Sequence, residues 1–209
     1  MNEWLKSYLP NVYLIPDEFI EATKQTLYMT FWSALIGGIL GIILGVVLVV
    51  TRPKGLIENR LCFELFDKVI NIVRSIPFII LLSLLALTTR FIVGTTIGAT
   101  AALVPLIVCI VPFFARQIEN ALLEVDPGVI EAAQAMGTSP LGIIFRVYLL
   151  EGLPSIIRVS ALTIINVIGL TAMAGAVGAG GLGNLAISRG YNRFQTDVTV
   201  VATLLILAL

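Results

Sequence analysis

The sequence predicts an all-α protein that crosses a membrane several times, and three observations support this fold class. Hydrophobic residues make up 58% of the 209-residue chain, whereas charged residues make up only 12%. The mean hydropathy is +1.01. The apolar residues are gathered into long stretches, and most of the charges lie between them. A soluble domain carries about a quarter charged residues, so lipid is the expected solvent here.

The apolar stretches predict five membrane-spanning helices in a single transmembrane domain that covers residues 1–209. A helix rises 1.5 Å per residue, so about 20 residues are needed to cross the hydrocarbon. The fifth stretch is shorter than this, and we expect its helix to continue beyond Leu209. The predicted spans cover about residues 26–50, 69–87, 97–115, 155–173 and 198–209.

The distribution of basic residues predicts the orientation of these helices. If the N-terminus is outside, eight of the 13 lysine and arginine residues fall in inner segments and five in outer segments. Positively charged loops favour the cytoplasmic side. We therefore expect an outside N-terminus and a cytoplasmic C-terminus.

Several function classes are disfavoured by the composition. The net charge is zero, which removes the basic surface typical of nucleic-acid binding. The chain has no histidine, the commonest general base and metal ligand. Cys62 and Cys109 stand alone among apolar residues and indicate small buried side chains, with a disulfide or a reactive thiol as the alternative. We expect no metal, cofactor or catalytic residue in this chain.

Glycines recur every fourth residue in the first predicted span, at Gly37, Gly41 and Gly45. They share one helix face and allow a second helix to approach closely. The second helix could belong to the same chain or to another copy of it.

Proline positions suggest irregular backbone in the next two spans. Pro77 lies early in the second span, and Pro105 and Pro112 are expected to interrupt the third. Freed carbonyls in a membrane need a neighbouring helix or a water-lined cavity. The prolines therefore favour a passage, with kinked packing around no passage as the alternative.

A glycine-rich run from Gly169 to Gly183 should end the fourth span in an irregular, closely packed segment, because each glycine disfavours helix by about 1 kcal/mol. The run is apolar, which favours a gate or cavity wall over a flexible linker. We assign Asn166, Ala172 and Met173 to the solute pathway. Asn166 could instead make an interhelical hydrogen bond.

The longest segment carrying both charges, residues 116–154, predicts two short helices between the third and fourth spans. Asp126 is a suitable N-cap before Pro127, and Gly137 is suited to end that helix. Ser139 and Pro140 then begin the second helix. Glu131, Ala132 and Ala133 lie on the first helix, where two small residues and one carboxylate can fit a groove of a soluble partner. An ordinary surface helix is the alternative.

This segment resembles the EAA loop of ABC-importer permeases, whose pattern is Glu-Ala-Ala, three residues, Gly, nine residues, a branched apolar residue, any residue, and Leu-Pro. Glu131, Ala132, Ala133, Gly137, Val147 and Leu149 match it. Leu150 stands where the pattern has proline, and Pro154 follows four residues later. Three further segments are similar to the methionine-importer permeases of that superfamily: NIVRSIPFIILL (71–82), ENALLEV (119–125) and GAVGAGGLG (175–183).

The resemblance implies a five-helix permease with the type I importer fold in a bacterial inner membrane, paired with a second copy of itself. It also implies two ATPase subunits, which would bind ATP and Mg, and an extracytoplasmic methionine-binding protein. Glu131, Ala132, Ala133 and Gly137 would then couple the ATPase to uptake of D- or L-methionine. Another small amino acid or organic solute is the alternative. A passive channel is less favoured because the first four spans lack a polar ring.

Overall fold

The computed structural model describes residues 8–209, and these residues form helices and connecting turns, with no β-strand in that range. This confirms the all-α fold class. Two π-helical turns, at Ile144–Tyr148 and Ala186–Tyr191, and an irregular turn at Gly175–Ala179 separate some of the helices. The α-helices are α1 (Pro10–Leu14), α2 (Pro16–Thr51), α3 (Arg60–Ser75), α4 (Phe78–Leu84), α5 (Ala86–Val93), α6 (Ala99–Leu123), α7 (Pro127–Ala135), α8 (Pro140–Ile143), α9 (Leu149–Glu151), α10 (Leu153–Ala174), α11 (Gly181–Leu185) and α12 (Thr196–Ala208).

Three helical stretches within residues 8–209 are long and apolar enough to cross a membrane: Pro16–Thr51, Ala99–Leu123 and Leu153–Ala179. They include the first, most of the third and the fourth predicted spans. The fifth predicted span falls on α12, which is apolar but shorter. Five crossings therefore remain a prediction.

The second predicted span, 69–87, is not one continuous helix. Pro77 has no N–H to donate, and a residue before proline is driven to extended backbone. Ile76 accordingly has φ −84° and ψ 123°, which separates α3 from α4. A second break lies at Leu85, where ψ is 1°. The predicted span therefore contains the end of the amphipathic helix α3, the short helix α4 and the start of the short helix α5.

The expected interruptions at Pro105 and Pro112 are wrong. Both prolines lie inside α6, whose helical backbone runs unbroken from Ala99 to Leu123. Each proline removes one N–H from the ladder. The remaining ladder of this 25-residue helix is sufficient to carry it through both positions.

The described residues divide into two compact units. The first, called unit 1, comprises residues 8–33, 78–106 and 165–209. The second, unit 2, comprises residues 34–77 and 107–164.

The glycine stripe of α2 packs against α6 of the same chain within unit 2. A Cβ placed on Gly37 would lie 2.8 Å from Cγ2 of Ile110, and one on Gly41 would lie 2.8 Å from Cδ1 of Phe114. At Gly45 it would lie 2.6 Å from Cβ of Ile118. The bulky partners also recur every fourth residue, so a ridge of α6 fills a groove of α2. Of the two alternatives, the structure shows packing within one chain.

A charged cluster joins α3 and α6 in the same unit. The Arg116 guanidinium donates to Asp67 Oδ1 at 2.5 Å, to Glu119 Oε2 at 2.6 Å and to Asn71 Oδ1 at 3.2 Å. Glu119 is only 5% exposed. A buried carboxylate requires a partner of this kind, because desolvation penalises an isolated charge.

Unit 1 has a hydrophobic core to which α2, α11 and α12 contribute. Phe19, Leu182 and Val198 are among its buried residues. Two polar side chains of α2 cap the start of α11: Gln25 Oε1 accepts from the N–H of Gly181 at 2.8 Å, and Thr26 Oγ1 accepts from that of Leu182 at 2.9 Å. These bonds satisfy helix N–H groups that have no intrahelical partner.

The glycine-rich run ends α10 at Ala174, as predicted, and the segment that follows is irregular. Within the turn Gly175–Ala179, Val177 and Gly178 have non-helical backbone angles, with φ +97° at Gly178. Close packing is also confirmed, because a Cβ on Gly175 would lie 2.5 Å from the backbone N of Asn184. Any role of this segment as a gate remains a proposal.

Candidate functional site

The helix that carries Glu131 begins with a side-chain cap. Asp126 precedes α7, and its Oδ1 accepts from the N–H of Gly128 at 2.7 Å. Pro127 occupies the first helical position, where a missing N–H has no cost. The predicted N-cap and the start of this helix are therefore confirmed.

The same helix ends in a Schellman motif. The N–H of Thr138 donates to the carbonyl of Ala133 at 3.1 Å, and the N–H of Gly137 donates to that of Gln134 at 2.9 Å. Gly137 has φ +78°, a conformation that glycine adopts without the steric cost of a Cβ. The predicted end of the helix at Gly137 is confirmed. Both ends of α7 are thus fixed by local hydrogen bonds.

The Glu-Ala-Ala triplet does not lie on one exposed face. Glu131 and Ala132 are exposed, whereas Ala133 is only 5% exposed. The expectation that both alanines offer a low surface to a groove is wrong for Ala133. Successive residues of an α-helix point in directions about 100° apart, so three in a row cannot share one face. Ala133 packs inward, and Glu131 and Ala132 remain accessible.

The second helix of the segment begins where predicted, and Ser139 caps it. Ser139 Oγ accepts from the N–H of Gly142 at 3.2 Å, and α8 begins at Pro140. A π-helical turn then leads to α9, which contains Leu150. The break before α10 falls at Gly152, where an added Cβ would lie 2.6 Å from the carbonyl oxygen of Tyr148. The break into α10 therefore lies after Leu150, where the family pattern has proline, and close to Pro154.

A groove of about 380 Å³ runs between α7 and the turn after α2. Arg52 and Lys54 line it from the turn, and Glu131 and Gln134 line it from α7. Arg52, Lys54 and Glu131 form no ion pair with any residue in 8–209. A partner that enters this groove therefore meets one carboxylate and two cations.

Tyr148 forms part of this groove and is a residue that sequence reasoning did not single out. It is 8% exposed. Burial raises the pKa of its phenol, although the nearby Arg52 guanidinium acts in the opposite direction. The phenol stays protonated near neutral pH and can act as a hydrogen-bond donor. In the sequence, Tyr148 occupies only the unspecified position between Val147 and Leu149, so its burial could not be anticipated.

A second, wider groove of about 680 Å³ lies around Gly137. Met136, Leu141 and Phe145 line it and are 79%, 66% and 62% exposed. Arg146 adds one cation. Neighbouring exposed apolar side chains are typical of a protein-binding surface. This surface was also not identified from the sequence.

The residues assigned to a solute pathway lie elsewhere, in unit 1. Met173 is 41% exposed, and Asn166 and Ala172 are half-buried. The backbone of Ala172 packs against Gly183. A cavity of about 380 Å³ in this unit is lined by Ala174, Val177 and Ala179 and by none of the three assigned residues. Among residues 8–209, no group of three or more histidine, cysteine or acidic side chains could hold a metal.

Comparison with known proteins connects this geometry to a family. Residues 37–209 match the family described as "Binding-protein-dependent transport system inner membrane component". The chain is 46% identical over 193 residues to the probable D-methionine transport system permease protein MetI of Vibrio cholerae. This match covers 92% of this chain and 86% of the relative. It is 48% identical over 202 residues to the methionine import system permease protein MetP of Bacillus subtilis, with 97% and 90% covered.

Solved structures show the same fold. A chain of the MetNI methionine ABC transporter, in inward facing conformations, is similar with a TM-score of 0.86 and 44% identity; the match covers 91% of this chain and 90% of that one. A chain of an amino acid ABC transporter with histidines shares the fold alone, with a TM-score of 0.77 and 20% identity.

Proposed function

We propose that this chain, which belongs to the family of binding-protein-dependent transport system inner membrane components, is the permease subunit of an ATP-driven importer of methionine. Relatives named for methionine transport are 46% and 48% identical to it over most of its length. As a member of this family the chain is a membrane component of a transport system and not an enzyme, so ATP hydrolysis belongs to a separate subunit.

The observation that carries the proposal is the capped helix α7, with Glu131 lining one groove and a second groove lying around Gly137. Asp126 and Gly137 fix its two ends, so a force applied to Glu131 and Ala132 moves the helix as a body. Polar and charged groups line one groove, and exposed apolar side chains line the other. This combination suits a soluble protein that docks beside a membrane.

The assembly that we propose contains two copies of the permease and two ATP-binding subunits. It also contains an extracytoplasmic methionine-binding protein, and lipid surrounds the apolar helices. Support comes from the 44% identical chain of a methionine ABC transporter and from the binding protein named in the family description. With the N-terminus outside and the C-terminus cytoplasmic, the segment between α6 and α10 faces the cytoplasm, where an ATPase can reach it.

In the proposed mechanism, ATP and Mg bind to the partner subunits and bring them together. The partner subunits draw α7 with them through Glu131, Ala132 and the apolar groove around Gly137. Movement of α7 is passed to α6 and α10, which flank the segment in the chain. ATP drives this change only if the outward-open and inward-open states bind it with different affinities. Opening toward the outside admits the solute, and hydrolysis resets the helices.

A direct test is to reconstitute the chain with its ATPase and binding protein and to measure ATP-driven uptake of labelled methionine. We expect methionine uptake to exceed uptake of a panel of other amino acids and small organic solutes. Dominant uptake of another solute would keep the permease assignment and reject methionine. Uptake that persists without ATP would indicate a passive channel.

The role of Glu131 is tested in the same system. We expect Glu131→Ala to reduce copurification of the ATPase or to uncouple hydrolysis from uptake, while the permease remains folded. Glu151→Ala is a matched control, because Glu151 is an exposed carboxylate on α9 that lines neither groove. If the Glu131 and Glu151 variants transport equally, Glu131 is not a coupling residue.

A further inference from the structure

A cavity of about 380 Å³ in unit 1 combines small apolar walls with few polar groups. Ser83, Thr96 and Ile97 are exposed and mark its mouth. Ala101, Ala102 and Ala174 are at most 5% exposed and form its floor. Cavities of about 300–1,000 Å³ with apolar walls and a few polar groups are typical of small-molecule sites.

Thr89 gives this cavity its most specific feature. It lines the wall and is only 4% exposed. Its Oγ1 is buried and has no hydrogen-bond partner within residues 8–209. Threonine in a helix commonly bonds to a carbonyl of the preceding turn, as Thr163 does with Val159. A buried hydroxyl without a partner is unfavourable, so a ligand atom that accepts from it would be stabilised.

The lining contains no charged residue. A free amino acid carries an ammonium and a carboxylate, and placing either in such a cavity would incur desolvation without compensation. The apolar side chain of an amino acid has no such penalty. A thioether is in addition a weak acceptor that can pair with a hydroxyl donor.

We propose that this cavity receives the side chain of the transported amino acid, with Thr89 donating to the thioether sulfur and the charged groups remaining at the mouth. The inference rests on the proposed function, because it takes methionine as the solute. On the predicted orientation, the connection between α5 and α6 and the turn after α10 both face outward. The cavity would then accept the solute on the side where the binding protein delivers it.

The test measures protection from chemical labelling in the reconstituted transporter. Cys62 and Cys109 are first replaced by alanine, and a single cysteine is then introduced as Ala86→Cys, at a lining position. Leu87→Cys is the control, since Leu87 is the next residue, is 83% exposed and does not line the cavity. At about ten times the half-saturating methionine concentration, maleimide labelling of Ala86→Cys should slow about tenfold, because only the ligand-free molecules react. Labelling of Leu87→Cys should not change.

Side-chain length and the sulfur atom are tested by comparing solutes. Alanine, which has no long side chain, should leave the labelling of Ala86→Cys unchanged, and norleucine should slow it as methionine does. Adding Thr89→Val should raise the half-protecting methionine concentration about two- to threefold, the loss expected for a weak neutral hydrogen bond. Norleucine lacks the sulfur and should be unaffected by Thr89→Val. Thr88→Val, at an exposed position, should change neither solute.

The outcomes separate this inference from the proposed function. If methionine is taken up but does not protect Ala86→Cys, or protects Leu87→Cys equally, the cavity is not the side-chain site and the importer assignment stands. Equal protection by alanine would also overturn the inference. If methionine is not taken up while another solute is, the proposed function itself is wrong.

Discussion

The N–H of Thr138 donates to the carbonyl of Ala133 over 3.1 Å, and this bond closes the helix that carries Glu131. It spans the turn in which Gly137 has φ +78°. The direction in which the chain leaves α7 therefore depends on one residue without a Cβ. Because α8 begins only three residues later, this turn also sets the position of the apolar groove relative to Glu131 within the segment.

Replacement of Gly137 by alanine should reduce ATP-driven uptake several-fold without preventing membrane insertion. No atom lies within 4 Å of an added Cβ, so the cost is backbone strain and not a clash. Left-handed backbone costs a residue with a Cβ about 1–2 kcal/mol, and asparagine tolerates it better than alanine. Gly137→Asn should therefore retain more uptake than Gly137→Ala. Uptake in both variants equal to that of the unchanged chain would show that the conformation of this turn is not important.

Removal of the N-cap should loosen the other end of the helix. Asp126→Ala leaves the N–H of Gly128 without its acceptor and should destabilise α7 by about 1 kcal/mol. Asp126→Asn keeps a capping oxygen and should behave almost as the unchanged chain does. Hydrogen exchange of the α7 amides in the purified complex measures the effect. Equally faster exchange in both variants would mean that the charge of Asp126, and not its capping bond, stabilises this helix.

The ends of α7 could be predicted from the sequence because capping depends on residues a few positions apart. Asp126, Pro127 and Gly137 each act on their own turn. The burial of Ala133 and Tyr148 could not be predicted in the same way, since it depends on residues distant in sequence. The groove that joins Arg52 to Glu131 is of this second kind.

A similar limit applies to the membrane helices. The four-residue spacing of Gly37, Gly41 and Gly45 indicated close helix packing but did not identify the partner, because the pattern describes one surface only. Proline effects were also difficult to predict. Pro77 lies between helices, whereas Pro105 lies within one, and the sequence alone does not show whether neighbouring hydrogen bonds are sufficient to continue a helix.

Loss of the Arg116 guanidinium should destabilise the permease strongly. Arg116→Leu would leave Asp67 and Glu119 close together without their cation, and breaking a largely buried pair in this way costs about 3–5 kcal/mol. Adding Glu119→Gln to Arg116→Leu should recover part of the loss. Lys68→Leu is the control, because the Lys68–Glu64 pair is 71% and 59% exposed and such pairs contribute only about 0–1 kcal/mol. Thermal unfolding in detergent compares the variants, and similar midpoints for Arg116→Leu and Lys68→Leu would contradict this role of the cluster.

Gly38 and Gly41 lie three residues apart on α2, but adding one methyl group at each should change the thermal stability differently. A Cβ on Gly41 would lie 2.8 Å from Cδ1 and 3.0 Å from Cβ of Phe114, whereas one on Gly38 would be 4.0 Å from the nearest atom of that ring, Cε1. Overpacking of a core typically costs about 1–3 kcal/mol, and alanine is favoured over glycine in a helix by about 1 kcal/mol. We therefore expect Gly41→Ala to lower the thermal midpoint and Gly38→Ala to leave it unchanged or raise it. Phe114→Leu should offset part of the loss in the Gly41→Ala background by removing the crowded ring. A fall of the same size in both single variants would mean that the contact between α2 and α6 does not determine the response.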